Sequence, residues 1–280
     1  MTGEYKSVIL LEILYFIAND WSFVDMLADE RRADIVRQLE QQQTVITSKL
    51  IKQYHVSTET IRRDLEQLES LGLLKRVHGG AVSLHKMKQF VDLDVRFKQN
   101  REKKQETAKA VFHLLKEDDC IALDTGSTAK EIALMLRESF QRMTVVTASS
   151  EIFSILESKD MFHLIQIGGE YLKSEKAFYG YQSEKMLREL HVCKSILCPT
   201  AFSLHYGLSD NVPLLIPLQR ILLEISDEII IATDSSKLDT VAAYHICEIK
   251  PTFMLATDKS ISAIQKRNME EKGISITIGG

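Results

Sequence analysis

The stretch at residues 56–80, VSTETIRRDLEQLESLGLLKRVHGG, decides how the amino-terminal part of the chain is read. Ser57 or Thr58 can cap a helix, and Glu59 falls in its first turn, where a carboxylate complements the helix dipole. At roughly 100° per residue, Ile61, Leu65 and Leu68 fall in one stripe that must pack inward. Arg62 and Arg63 lie off that stripe, on the same outward arc as Glu59 and Glu66. Leu73 and Leu74 then open a strand whose far end, Lys75, Arg76 and His78, is basic, and Gly79-Gly80 permits a tight reversal.

Working outward, a charged amphipathic helix is predicted over about residues 29–41. A polar QQQT break follows, then a second short helix, TSKLIKQYH, capped by Thr47 or Ser48, and a tight turn at His55-Val56. Helix, turn, capped helix and Gly-Gly hairpin in that order predict a winged helix-turn-helix that enters a DNA major groove. The residues expected to face DNA are Thr47, Ser57, Thr58, Glu59, Thr60, Arg62, Arg63, Lys75, Arg76 and His78. The arginine forks suit guanine O6/N7 or phosphate oxygens. The bland alternative pairs them with Glu59 and Glu66 along a solvated helix. Residues 28–85 hold nine Lys/Arg and eight Asp/Glu, so the long-range pull on DNA is modest and two copies of the domain are expected.

The whole chain has 280 residues, 45% of them hydrophobic, which excludes wholesale disorder; its net charge of −4 conceals how charge is placed. Cys120, Cys193, Cys198 and Cys247 have no metal-ligand or CxxC spacing and read as free thiols of a reducing cytosol; no metal or cofactor is expected. The run VILLEILYFIA at residues 8–18 is about half the ~20 residues that span a bilayer, and Glu12 interrupts it, so a cytoplasmic protein with no membrane partner is expected. Residues 1–25 do not fit the sequence that follows. They read either as an extension upstream of a true start at Met26 or as a genuine apolar helix. The domains then run over residues 26–85 and 105–280, joined by a basic linker at 86–104 that reads as a tether, with a helix starting near Glu102.

After residue 118 short apolar runs alternate with helical patterns, which predicts an α/β domain with a mainly parallel sheet. Several runs end in small polar residues: CIAL in DTGST, VV in TASS, LIQI in Gly168-Gly169, IIIA in TDSSK and FMLA in TDK. In a parallel sheet such ends share one edge, where ligands bind. Gly126 lets the backbone approach a ligand closely, Ser127 and Thr128 offer hydroxyls at a helix start, and Lys237 brings positive charge. Asp124 and Asp234 can accept from hydroxyls, so the set suits a phosphate joined to several hydroxyls, a sugar phosphate. A proton-shuffling enzyme would need a poised base; Asp124, Glu151, Glu170 and Asp210 are available, but none stands in a motif for that role, and no catalytic residue is assigned.

TIRRDLEQLESLGLLKRVHGGAV resembles the DNA-binding signature of the DeoR family of bacterial transcriptional regulators, and the match extends from about Met26 to the C-terminus. The resemblance implies a regulator, most often a repressor, of a sugar-uptake or sugar-catabolic operon. It also implies a C-terminal sensor domain similar in fold to sugar-phosphate isomerases and CoA transferases, which binds a phosphorylated sugar. Its matching positions are DTGST at 124–128, TAS at 147–149, Gly168-Gly169, Gly180 and DSSK at 234–237. The effector set is therefore Asp124, Gly126, Ser127, Thr128, Thr147, Ser149, Gly168, Gly169, Gly180, Asp234 and Lys237. Ser127 stands where the family has a second threonine, and Ala148 where it has an asparagine. The expected partners are operator DNA, a phosphorylated sugar and further copies of the chain, as a dimer or tetramer.

Overall fold

The inward stripe of residues 56–80 is buried in the computed structural model, where Ile61, Leu65 and Leu68 join Ile35, Leu39, Val45, Leu50, Leu74 and Ala81 in one small core. The structure describes residues 23–42, 44–71, 73–77, 79–83 and 90–280. Most of the doubtful extension, including its apolar run, lies outside them, as does His78. The chain divides after residue 85 into two compact units.

The first unit runs α1 (Phe23–Gln42), β1 (Thr44–Ile46), α2 (Thr47–Tyr54), α3 (Thr58–Ser70), β2 (Lys75–Val77) and β3 (Gly80–Val82). The three strands form an antiparallel sheet in the order β1-β3-β2. Ser57 caps α3 as expected, its Oγ accepting from Thr60 N at 3.1 Å. The start of α2 differs from expectation. Thr44 belongs to a strand rather than to the polar break, and Ile46, not Thr47 or Ser48, occupies the cap position without a side-chain bond. The Thr47 N–H instead donates to the Gly79 carbonyl at 2.8 Å, so the hairpin turn supplies the acceptor that a capping side chain would have. Asp64, buried on α3, is held by Arg31 of α1 through bonds of 2.5 and 3.2 Å, which ties the two helices together.

The two hairpin glycines serve different ends. Gly79 adopts φ +86°, a left-handed turn conformation. At Gly80 a Cβ would stand 2.0 Å from the Val45 carbonyl oxygen, because β1 runs directly against it.

The second unit begins with α4 (Leu93–Lys98) and α5 (Arg101–Phe112). It continues with β4 (Cys120–Leu123), α6 (Ser127–Ser139), β5 (Met143–Thr147), α7 (Ser150–Leu156) and β6 (Phe162–Gln166). The hairpin β7 (Glu170–Leu172) and β8 (Ala177–Tyr179) follows, then α8 (Tyr181–Arg188) and β9 (Val192–Leu197). After β10 (Ala201–Ser203) and β11 (Gly207–Asp210) come α9 (Ile216–Glu224), β12 (Ser226–Ala232), β13 (Tyr244–Cys247), β14 (Phe253–Asp258), α10 (Ala263–Glu271) and β15 (Ser275–Gly279).

Seven strands form one sheet in the order β15-β14-β12-β9-β4-β5-β6, every neighbouring pair parallel. Alternate strand residues bury on opposite faces. Ile121, Leu123, Val145, Ile196 and Ile230 pack with Val111 of α5, Leu136 of α6 and Leu156 of α7. Ala122, Val146, Leu197, Ile231 and Leu255 pack with Leu187 of α8 and Ile221 of α9. A sheet covered on both faces explains why its strands read as continuous apolar runs. The mixed α/β architecture and the parallel sheet are as the sequence predicts.

The expected tether at 86–104 is ordered helix over its second half, a departure from the sequence reading. Leu93 is buried, Arg96 pairs with the buried Glu175, and Lys104 is itself buried, so two cations of the expected tether are committed to the second unit. Among the described residues no helix is long and apolar enough to cross a membrane.

Replacing Gly80 with Ala forces β1 and β3 apart and is expected to destabilise the first unit by about 1–3 kcal/mol. Gly79→Ala, with open space around it, should cost roughly 1–2 kcal/mol through its left-handed backbone alone. Denaturant melts of the two variants check this; an unchanged midpoint in Gly80→Ala would contradict the packing of β1 on β3.

Candidate functional site

The chain visits β4, β5 and β6 toward one side of the sheet, then places β9, β12, β14 and β15 on the other side of β4. The order therefore reverses between β4 and β9. Helix α6 leaves β4 on one face, while α9 lies on the opposite face between β9 and β12. Such a reversal is where open α/β sheets leave a crevice at the carboxyl ends of the strands.

A cleft of about 120 Å³ opens there. Ser127 reaches it from the β4 end, Thr200 from the β9 end, and Asp234, Ser236 and Lys237 from the β12 end. Asn211 and Val212 follow β11, and Phe90, Val91, Arg96, Gln99, Asn100 and Lys104 come from the segment before and within α4 and α5. Parallel strands thus bring side chains more than a hundred residues apart to one hollow.

The hollow is rich in positive charge. Gly126, at φ +98°, starts α6 with no side-chain cap, so the first-turn amides of a thirteen-residue helix are left open. The Arg96 guanidinium lies over this helix end, its Nη1 3.7 Å from where a Gly126 Cβ would be. Arg96 pairs with Glu175, yet its Nε and Glu175 Oε1 are buried without a hydrogen-bond partner. Burial raises the Glu175 carboxyl above its usual range, against the pull of Arg96. The buried Lys104 ammonium donates to the carbonyls of Arg96 and Gln99. Burial, reinforced by Lys237, pushes its pKa down to about 8. Among the described residues Asp234 is the only carboxylate lining the cleft; its Oδ1 accepts from Ser236 and its Oδ2 is buried without a partner.

Ser127, Asp234 and Lys237 of the expected effector set line this cleft, and Gly126 lies at its edge through Arg96. Asp124 does not line it. Its Oδ1 accepts from Thr125 N at 2.7 Å, and its Oδ2 from Cys198 N at 3.0 Å and Gln219 Nε2 at 3.1 Å. Gln219 also donates to Asp210 at 3.3 Å, and Asp210 accepts from Thr200 N and Oγ1. The two buried carboxylates, joined by Gln219, thereby set the β9 tip that carries Thr200. Thr128 is buried in α6. Thr147 and Ser149 shape the β5 tip, where Thr147 Oγ1 accepts from Ser149 N and Ser149 caps α7. Gly168 accepts from Ser183 Oγ at 2.6 Å, and a Cβ on Gly169 would meet that same oxygen at 2.1 Å. Gly180 starts α8 at φ +100°. These last residues build the β5, β6 and β7–β8 side of the sheet, beyond the reversal, and none lines the cleft.

Sequence reasoning missed Arg96, Asn100, Lys104, Thr200 and Asn211. The charges at 96 and 104 were visible but assigned to a connector, and the small polar ending of the β9 run, Cys198-Pro199-Thr200, was the overlooked signal.

On α3 the outward and the paired readings of the arginines both hold. Arg62 is half exposed and bonds Glu59 at 2.7 and 2.8 Å and also Glu66. Arg63, whose side chain is 76% exposed, keeps one bond of 3.2 Å to Glu59. The bond from Arg62 holds the Glu59 carboxyl down to about 2. Arg76 of the hairpin reaches Glu66 and Glu69 at 2.9 Å, and Lys75 lies 3.2 Å from Glu69. Thr58 and Thr60 stand at the start of the helix, the Thr60 hydroxyl 2.8 Å from that of Ser57.

Burial lifts the Asp124 pKa from 3.8 to about 6. The folded chain therefore holds this proton more tightly than the unfolded chain, and the group's contribution to stability is full below 3.8 and lost as pH rises through about 6. The stability of Asp124→Asn relative to the native protein should accordingly improve across that window, by at most about 3 kcal/mol. Denaturant melts at several pH values test this, and a pH-independent difference would contradict it.

Residues 31–87 match the DeoR-like helix-turn-helix domain and residues 99–259 match the DeoR C-terminal sensor domain. The chain is 32% identical over 252 residues to the uncharacterized HTH-type transcriptional regulator YulB of Bacillus subtilis (strain 168), covering 90% of this chain and 97% of that protein. It is 30% identical over 241 residues to the L-fucose operon activator of Haemophilus influenzae (strain ATCC 51907 / DSM 11121 / KW20 / Rd), covering 86% of this chain and 96% of that protein. Among solved structures, a ribose 5-phosphate isomerase A from Methanocaldococcus jannaschii aligns with a TM-score of 0.36 and 18% identity, over 50% of this chain and 55% of that one. With both of its units matched and its relatives aligned over most of their length, the chain belongs to the DeoR family of transcriptional regulators.

Proposed function

We propose that this regulator represses a sugar-uptake or sugar-catabolic operon and that a phosphorylated sugar held in the sheet-edge cleft sets its grip on the operator. The observation that carries the reading is the meeting of an uncapped helix start with Arg96, Lys104 and Lys237 around one hollow. Open amides and ammonium or guanidinium groups complement a phosphate. Asn100, Asn211, Thr200, Ser236 and Asp234 provide donors and acceptors for the hydroxyls of a sugar. The relative named for the L-fucose operon supports a sugar as the signal; its role as an activator makes the sign of regulation part of the test.

Binding without turnover is favoured by the state of the carboxylates. Asp124 and Asp210 hold backbone amides and Gln219, Glu151 pairs with Lys130 and Lys176, and Glu170 accepts from the Tyr179 hydroxyl. Each is committed to the scaffold, and none of the four lines the cleft.

For DNA, Arg62 and Arg63 of α3 are assigned to base edges or phosphates, with Ser57, Thr58, Glu59, Thr60 and Thr47 around them and Lys75 and Arg76 on the hairpin. Loss of either arginine to Ala should cost about 1–3 kcal/mol on the operator if it reads a base, and a smaller, uniform amount on all sequences if it holds phosphate. Gel shifts on the chain's own upstream region and on unrelated DNA separate the two.

The effector is tested by adding hexose and pentose phosphates, and the matching free sugars, to the same gel shift and to thermal melts. At least one phosphate ester should alter operator binding while its free sugar does not. Lys237→Ala should weaken that response roughly tenfold yet still bind DNA. Operator binding indifferent to every ester would remove the sensor reading.

A further inference from the structure

The cleft is lined in large part by the segment through which the chain arrives from the hairpin strand β3. Helix α4 is held weakly in apolar terms. Leu93 is its one buried residue, and Val95 is exposed. The Phe97 ring carries the ammonium groups of Lys130 and Lys176, 4.2 and 5.1 Å from its centre. Polar ties add to these: Arg96 pairs with Glu175, Asp94 with Lys176 at 3.4 Å, and Lys104 donates to the Arg96 and Gln99 carbonyls. The first is incomplete, since Arg96 Nε and Glu175 Oε1 are buried without partners, and such a pair adds little net stability. Asn100, at φ 50°, makes a left-handed hinge between α4 and α5, and its amide donates to Ser236 Oγ at 3.0 Å across the cleft. Elements with few buried apolar contacts are the ones that open locally.

Resting on the anion-binding reading above, we propose that α4 and the first turn of α5 form a strap pinned by the ligand. An anionic group in the cleft is held jointly by Arg96 and Lys104 of the strap and by Lys237 and the α6 start of the sheet. Occupancy then fixes the strap, and with it the end of the chain leading to the DNA-reading unit. The residues that sense the ligand and the residues that transmit its presence are the same.

The test is hydrogen–deuterium exchange on the full chain with inorganic phosphate as probe and chloride at matched ionic strength as reference. A thermal-shift titration of the same probe runs beside it on the native protein and on Lys237→Ala. Phosphate should slow exchange across residues 93–104 roughly tenfold, and Arg96→Ala should abolish that protection. If phosphate raises the Tm of the native protein but not of Lys237→Ala, while exchange at 93–104 is unchanged, the strap is overturned and the anion site stands. If neither phosphate nor any sugar phosphate changes Tm or exchange, the anion site fails and the strap with it.

Discussion

The reversal of strand order between β4 and β9 is the constraint on which the sensor unit depends. Two adjacent parallel strands whose connections depart to opposite faces leave a crevice at their carboxyl ends, and here the segment through α4 and the start of α5 lines it. Ser127 and Thr200 meet there because β4 and β9 are neighbours, and Asp234 and Lys237 join them because β12 is next in line. The uncapped start of α6 belongs to the same geometry. Gly126 turns the chain out of β4 at a positive φ, and no side chain turns back to satisfy the helix amides.

Around the cleft the buried acids serve as supports. Asp124 and Asp210 share Gln219 and together accept from five backbone amides near the strand tips: those of Thr125 and Cys198, and those of Thr200, Asn211 and Val212. A motif such as DTGST therefore contains two kinds of residue in sequence order: one that shapes the hollow from beneath and one that faces it. Ser127 faces the cleft, while Asp124 and Thr128 are buried beside it.

That mixture explains what was legible beforehand. Periodicity marked Ile61, Leu65 and Leu68 as core, and apolar runs ending in polar residues marked the strand tips, because both patterns follow directly from local geometry. The Gly-Gly pair after a basic strand marked the hairpin turn, though the reason for Gly80, the carbonyl of Val45 pressing against it, lies 35 positions upstream and leaves no local mark. Which tips share the cleft depends on strand order. Gly168, Gly169 and Gly180 look as ligand-like as DSSK, yet they sit past β5 and support a hairpin. Arg96 and Lys104 were hidden for another reason: a cation on a short polar helix reads as solvated until the acid or carbonyl it meets is known.

Helix α3, proposed above to read DNA, carries its own neutralising counterpart. Glu59, Arg62, Arg63 and Glu66 sum to no net charge, and each arginine rests on a carboxylate one turn away. Paired in this way, the four groups cast little field of their own beyond a Debye length. On the role proposed for Arg62 and Arg63, each guanidinium would trade a glutamate for a nucleotide oxygen on docking. On that role, discrimination between sequences would be made at contact, by how well the duplex replaces an acid already in place.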